Sequence, residues 1–382
     1  MILLHIYGLV IFLYVTTRLI TQLPFGPAVR FFFTTWALAG SQYHYFVRNF
    51  FGTLASPEMP YPVLVLWSFS FITLAVLFAL LLIRDIFRVA VKLVRTVRGK
   101  GRIPFSPGRR AMVLGGAGLA LGAYGFREAV RPPDVRTTEV VLDRLPRALD
   151  GLVVVQITDL HATALLREPR VEAVVEAVNA LNPGLILCTG DMVDGATDRR
   201  ADAVAPLAGL RAQYGVYGCE GNHEYYSGYE SWMRAFARLG LNLLHNEHVV
   251  VPVNGKVLVL AGVNDPQGPR FGNAGPDVEK ALNGAPEDAP VILLAHQPGF
   301  ARSNAAGPRR VDMQLSGHTH GGQIWGFDRI VASRNDGFLR GLYAVGDMRL
   351  HVSPGAGLWT GFPVRLGVPA EISRIVLRSS HV

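Results

Sequence analysis

The stretch Leu185-Ile186-Leu187-Cys188-Thr189-Gly190-Asp191-Met192-Val193-Asp194 decides how this chain is read. A short apolar run of this length reads as a buried strand, and the glycine after it lets the backbone turn sharply. The run therefore delivers Asp191 to the carboxyl end of a strand, where open α/β sheets hold their ligands. Four other segments repeat the arrangement. Asp159 and His161 follow Val153–Thr158, and Asn222, His223 and Glu224 follow Val216–Gly221. His296 follows Val291–Ala295, and His318 and His320 follow Met313–Gly317.

Between these runs the pattern changes to helical spacing. Val171, Val174, Val175, Val178 and Leu181 share one face of an expected helix over 170–181, which Pro183 ends. Further helices are expected over 201–213 and 232–239. Further strands are expected at 249–253, 256–261, 342–345, 350–352 and 372–376. Strands alternating with helices argue for an α/β domain. The five segments offer carboxylate and amide oxygens and imidazole nitrogens but no thiolate, a donor set suited to Mn, Fe, Zn or Co. The two cysteines, Cys188 and Cys219, read as buried free thiols.

The first third of the chain has a different texture. Apolar runs lie at 2–20, 31–51, 63–83 and 111–126, and runs near twenty residues are long enough to cross a bilayer. Residues 1–126 are therefore expected to form a region of about four transmembrane helices, and residues 127–382 a separate catalytic domain. Twelve Lys and Arg against Glu58 and Asp85 give residues 1–126 a charge of +10; the whole chain is +8, which leaves the rest near −2. A mildly acidic domain argues against a nucleic-acid substrate. The basic loop 84–110 is expected on the cytoplasmic side, which places the catalytic domain outside the cytoplasm, in a bacterial plasma membrane. Ser106-Pro107-Gly108-Arg109-Arg110 also looks like an internal twin-arginine export signal, though Phe-Leu does not follow the arginine pair.

The ordered set D-x-H, G-D-x-x-D, G-N-H-E, H and G-H-x-H resembles the calcineurin-like metallophosphoesterase superfamily. The ending Gly361-Phe362-Pro363-Val364-Arg365-Leu366-Gly367-Val368-Pro369-Ala370-Glu371-Ile372 is similar to that of its membrane-associated YkuE/YaeI-like branch. The resemblance covers roughly residues 135–378 and implies a four-layer α/β sandwich with two mixed sheets. It implies two divalent metals: Asp159, His161, Asp191 and His320 holding one, and Asp191, Asn222, His296 and His318 the other. It also implies that a metal-activated water hydrolyses a phosphate ester, with phosphodiesters foremost and a lipid-linked ester among the expected substrates. His223 would be the general acid and Asp194 would orient it or a neighbouring ligand, unless Asp194 caps a helix. Arg365 would contact substrate phosphate or close the fold. Glu224 has no catalytic role in this reading. Cleavage of the pyrophosphate of a UDP-diacylglucosamine lipid A precursor is the alternative within the class. A membrane sensor or transporter regulated by a phosphoesterase domain is the alternative outside it.

Overall fold

The structure is a computed structural model that describes residues 2–97, 107–359 and 361–381. It divides into two compact units. One comprises residues 1–128 with 361–364, the other residues 129–360 with 365–382.

The first unit is helical: α1 (Ile2–Arg18), α2 (Pro27–Ser41), α3 (Tyr43–Phe50), α4 (Tyr61–Val97) and α5 (Pro107–Val130), whose last two residues belong to the second unit. Among the described residues, the stretches Leu3–Gln22 and Tyr61–Arg95 are long and apolar enough to cross a membrane. The expected run 31–51 is broken at Gln42, whose φ of −89° and ψ of 11° separate α2 from α3. Buried polar Ser41 and Gln42 lie at the break, and α3 spans only 8 residues. The 111–126 run lies within the 24-residue α5. Its glycines meet α4 closely: a Cβ on Gly118 would collide with Leu77, and one on Gly122 would stand 2.7 Å from Thr73 Oγ1. The basic stretch is a loop only in part. Arg84–Arg95 continue α4, Arg109 and Arg110 open α5, and residues 98–106 lie outside the described residues.

The second unit contains two six-stranded mixed sheets. The first runs β1 (Asp134–Leu142), β12 (Glu371–Ser379), β2 (Val153–Ile157), β3 (Leu185–Thr189), β4 (Val216–Cys219), β5 (Asn242–Leu243). The second runs β10 (Gly341–Val345), β11 (Met348–Val352), β9 (Met313–Ser316), β8 (Val291–Leu294), β7 (Lys256–Gly262), β6 (Glu247–Val253). The strands β2 to β5 are mutually parallel, as are β7, β8, β9 and β11. The helices of this unit are α6 (Glu168–Asn179), α7 (Thr197–Val204), α8 (Asn222–Arg238), α9 (Val278–Ala281), α10 (Ala301–Ala306) and α11 (Asp328–Ser333).

The period-2 alternation of strands divides the core. Leu185 and Leu187 of β3 join Ile292, Leu294 and Leu315 of the other sheet in one apolar cluster. Ile186 and Cys188, one residue out of phase, pack with Val171, Val174 and Val178 of α6 and Trp232 of α8. Cys188 and Cys219 are buried free thiols. The polar edge strand β1 has no expected counterpart in the sequence. Only long-range parallel pairing with β12, from Asp134↔Glu371 to Leu142↔Ser379, makes it a strand.

Candidate metal centre

The loops after β2, β3, β8 and β9 and the first turn of α8 carry the candidate ligands. Five of these adopt a left-handed backbone: Asp159 (φ 50°), His161 (45°), Asp191 (54°), His318 (70°) and His320 (48°). This conformation costs a residue with a Cβ about 1–2 kcal/mol, so such a concentration needs a surrounding structure that enforces it. Hydrogen bonds supply the constraint. Asp159 accepts from Thr158 Oγ1 at 2.8 Å and, through both oxygens, from His318 N at 3.0 Å. Glu224 accepts from the backbone N–H of Asp191 (3.0 Å), Met192 (2.7 Å) and Gly221 (2.7 Å). It thereby ties the Asp191 loop to the first turn of α8, where Asn222 sits. Close approach explains two glycines. A Cβ on Gly221 would collide with Asp191 Oδ1, and one on Gly317 with Thr158 Oγ1 and Asp159 Oδ2.

Three groups of side chains converge, Asp159 with His161 and His320, Asp191 with His296 and His318, and His161 with Asp194 and His223; within each, one ligand atom per residue lies within 4.8 Å of the others. Neighbouring groups fix the imidazoles. His296 Nδ1 donates to the Thr189 carbonyl at 2.7 Å, which leaves Nε2 bare, 3.1 Å from Asp191 Oδ2 and outside any aligned hydrogen bond. His161 Nδ1 donates to Asp194 Oδ2 at 2.8 Å, and its Nε2 faces His320 Nε2 at 3.1 Å, Asp191 Oδ2 at 3.7 Å and Asp159 Oδ1 at 3.9 Å. His320 Nε2 lies 3.4 Å from Asp159 Oδ1. Asn222 Oδ1 is buried with no hydrogen-bond donor. Unpartnered His296 Nε2 and His320 Nδ1, buried carboxylates and an orphaned amide oxygen drawn together fit divalent cations, since buried polar atoms otherwise find partners.

The electrostatics are those of a crowded buried site. Burial raises Asp159 above the usual carboxylate range, and Asp191 adds repulsion. Burial opposes ionisation of Asp191 too, but His296 and His223 outweigh it and hold that carboxyl well below its ordinary value. Burial and repulsion from His296 push His318 down to about 3. Burial and the neighbouring Asp191 push Glu224 up to about 7. Burial pulls His223 down, yet Asp194 and Asp191 prevail and lift it to about 10. Cations on the adjacent carboxylates would oppose that lift.

Asp194 contacts both histidines at the centre: Oδ1 pairs with His223 Nδ1 while Oδ2 takes His161. It caps no helix, since α7 begins at Thr197 with Ala196 before it. Of the two roles expected for Arg365, a contact with substrate phosphate or closure of the fold, its surroundings favour the second. Arg365 is fully buried and donates to the carbonyls of Gly357 (2.7 Å), Pro354 (2.8 Å), Val368 (3.2 Å) and His320 (3.4 Å). Its guanidinium braces the loop under His320 and closes the fold. From the sequence Glu224 has no catalytic role but a supporting or capping one, and the anchoring carbonyl of Thr189 is not singled out. Glu224 stands three residues after Gly221, the spacing of a capping box, which was its available signal.

Residues 152–322 match the family model described as calcineurin-like phosphoesterase. The chain is 35% identical over 267 residues to a Danio rerio "transmembrane protein with metallophosphoesterase domain", covering 68% of this chain and 61% of that one. It is 37% identical over 263 residues to a metallophosphoesterase of Helicobacter pylori, covering 68% of each chain. It is 30% identical over 293 residues to the metallophosphoesterase YkuE of Bacillus subtilis, covering 73% of this chain and 98% of that one. The chain thus spans about three fifths of the vertebrate relatives it matches, 61% and 60% for Danio rerio and Bos taurus.

Proposed function

Because the chain belongs to the calcineurin-like phosphoesterase family, we propose that it is a membrane-anchored, dinuclear-metal-dependent phosphoesterase acting chiefly on phosphodiesters. In this reading Asp159, His161 and His320 would hold one divalent ion, Asn222, His296 and His318 would hold the other, and Asp191 would serve both. Two such ions, when bound, acidify water and neutralise phosphoryl charge. Asp194 keeps His161 in the tautomer whose Nε2 faces the centre and holds His223 as the proton donor to the departing oxygen. The single observation that carries the reading is the convergence of five left-handed ligand residues from three strand ends, those of β2, β3 and β9. That strain has no use in a fold that binds nothing there.

Two finer points belong to the same proposal. The clusters on both sides of each sheet support a four-layer α/β sandwich. The apolar helices support membrane anchoring, and the Lys/Arg excess after the Tyr61–Arg95 stretch supports a cytoplasmic basic segment with the catalytic unit on the other side. A phosphate ester of the outer side, lipid-linked or from the envelope, is then the substrate class.

The test is elemental analysis of the purified full chain together with a panel of synthetic phosphate esters. Two equivalents of divalent metal and hydrolysis of activated diesters are expected, both lost in Asp191→Asn. Full hydrolysis by metal-stripped protein, or normal activity and metal content in Asp191→Asn, counts against the proposal.

A further inference from the structure

We propose that the turn Trp325–Ile330 is a membrane-docking tip that holds an anionic lipid surface beside the metal centre. The proposal rests on the phosphoesterase reading above and names its substrate class: phosphate esters carried on lipid. Trp325 (77% exposed), Ile330 (61%) and Phe327 (53%) are the three most exposed large apolar side chains among the described residues of the second unit, and they fall within six positions. Soluble surfaces scatter such residues singly; a cluster marks a contact. Gly326, at φ 103°, turns the chain between the two aromatic residues, and Phe327 N donates to Ile324 O at 3.0 Å, so the tip is a defined turn.

The tip and the centre hang on one strap. Trp325 N donates to Leu366 O at 2.9 Å, and Ile324 bridges to Leu366 and Gly367. The preceding residue, Arg365, donates to the carbonyl of His320. Along the chain the strap follows Gly361–Val364, which belong to the helical unit, where Phe362 lies edge-on to Phe71 of α4 at 6.0 Å. By chain connectivity alone, the residues that hold the tip follow directly on a segment seated against a helix apolar enough to span a bilayer.

Charge names the occupant. Asp328 accepts from Gly326 N and lies 3.8 Å from Arg340, and Asp336 pairs with Arg302 at 2.6 Å. Arg329 and Arg334 are exposed; Arg329 lies within electrostatic reach of its neighbour Asp328, and neither arginine has a carboxylate within 4.0 Å among the described residues. Trp and Phe beside exposed arginines that no salt bridge holds suit the headgroup boundary of an anionic bilayer.

Cys188 and Cys219 are buried, so a thiol-reactive fluorophore will report a single introduced cysteine. The full chain carrying Trp325→Cys, or Lys256→Cys on an exposed hairpin end as the control, is labelled and reconstituted into phosphatidylcholine–phosphatidylglycerol vesicles with brominated acyl chains. The label at position 325 should be quenched by the lipid bromine and shielded from aqueous iodide, with the label at position 256 showing the reverse. Adding Arg329→Glu and Arg334→Glu should weaken lipid quenching at 325 severalfold in these vesicles and leave it unchanged in pure phosphatidylcholine. Equal iodide access at 325 and 256 overturns the proposal. So does shielding at 325 from both quenchers, which would mean that protein covers the tip. Quenching needs no turnover, so the result is separate from any failure of the phosphoesterase reading.

Discussion

Asp194 holds His223 by its Nδ1 while its other carboxylate oxygen, 2.8 Å from Nδ1 of His161, holds a candidate metal ligand. One buried carboxylate therefore orients both the proposed proton donor and part of the metal shell. His223 keeps Nε2 as its free ring nitrogen, and its side chain is 13% exposed against 0% for His161. The more accessible ring suits contact with a departing group.

His223→Ala should lower the rate for esters with poor leaving groups by about 10²–10⁴-fold, the usual worth of general acid catalysis. Nitrophenyl esters, whose leaving group needs no proton, should lose far less. The measurement is a leaving-group series at constant metal content. Equal losses across the series would remove His223 from the donor role.

Glu224→Ala leaves three buried N–H groups, on Asp191, Met192 and Gly221, without their acceptor. Each unsatisfied group costs about 1–3 kcal/mol, so stability should fall by several kcal/mol. Because the clamp joins the Asp191 loop to Asn222, metal affinity should fall as well. Glu224→Gln, which keeps an acceptor oxygen, should recover part of both. Unchanged thermal stability and metal titration in the alanine variant would show that the clamp carries no strain.

His351 is buried against Gln156, with Nδ1 2.9 Å from Oε1, and burial pushes it from 6.5 down to about 4. The unfolded chain therefore binds a proton that the folded chain refuses between these values. The stability associated with a neutral His351 is complete above pH 6.5 and is lost as pH falls toward 4. His351→Asn, which retains a donor, should lose less stability between pH 7 and pH 5, by roughly 2 kcal/mol at 1.36 kcal/mol per unit below the unfolded value. Denaturant unfolding at the two pH values measures it. Identical acid sensitivity of the two proteins would exclude the linkage.

A reporter active only in exported, oxidising compartments should work when fused after Val382 and be silent when fused near Lys100. The reverse pattern would put the metal centre in the cytoplasm and favour a nucleotide-linked lipid precursor as substrate. The break at Gln42 does not affect this outcome, since the side is set by the basic segment and the helix after it.

Much of this protein is legible along its sequence. Leu185–Thr189, Val216–Cys219 and Met313–Ser316 are strands within the expected runs because those apolar runs are short, bounded and local. The donor types at their ends, and the absence of cysteine among them, define the chemistry before any fold is known, since coordination preference belongs to the residue. Tertiary structure decided what depends on distant partners. It set Arg365 among backbone carbonyls, and turned Asp134–Leu142 into a strand through β12. It divided the 31–51 run at Gln42 and set Glu224 across two loops. The left-handed backbones of Asp159, His161, Asp191, His318 and His320 leave no trace in composition or periodicity. Such conformations are unfavourable in isolation and persist only where contacts from remote segments hold them, a condition that a one-dimensional pattern does not carry.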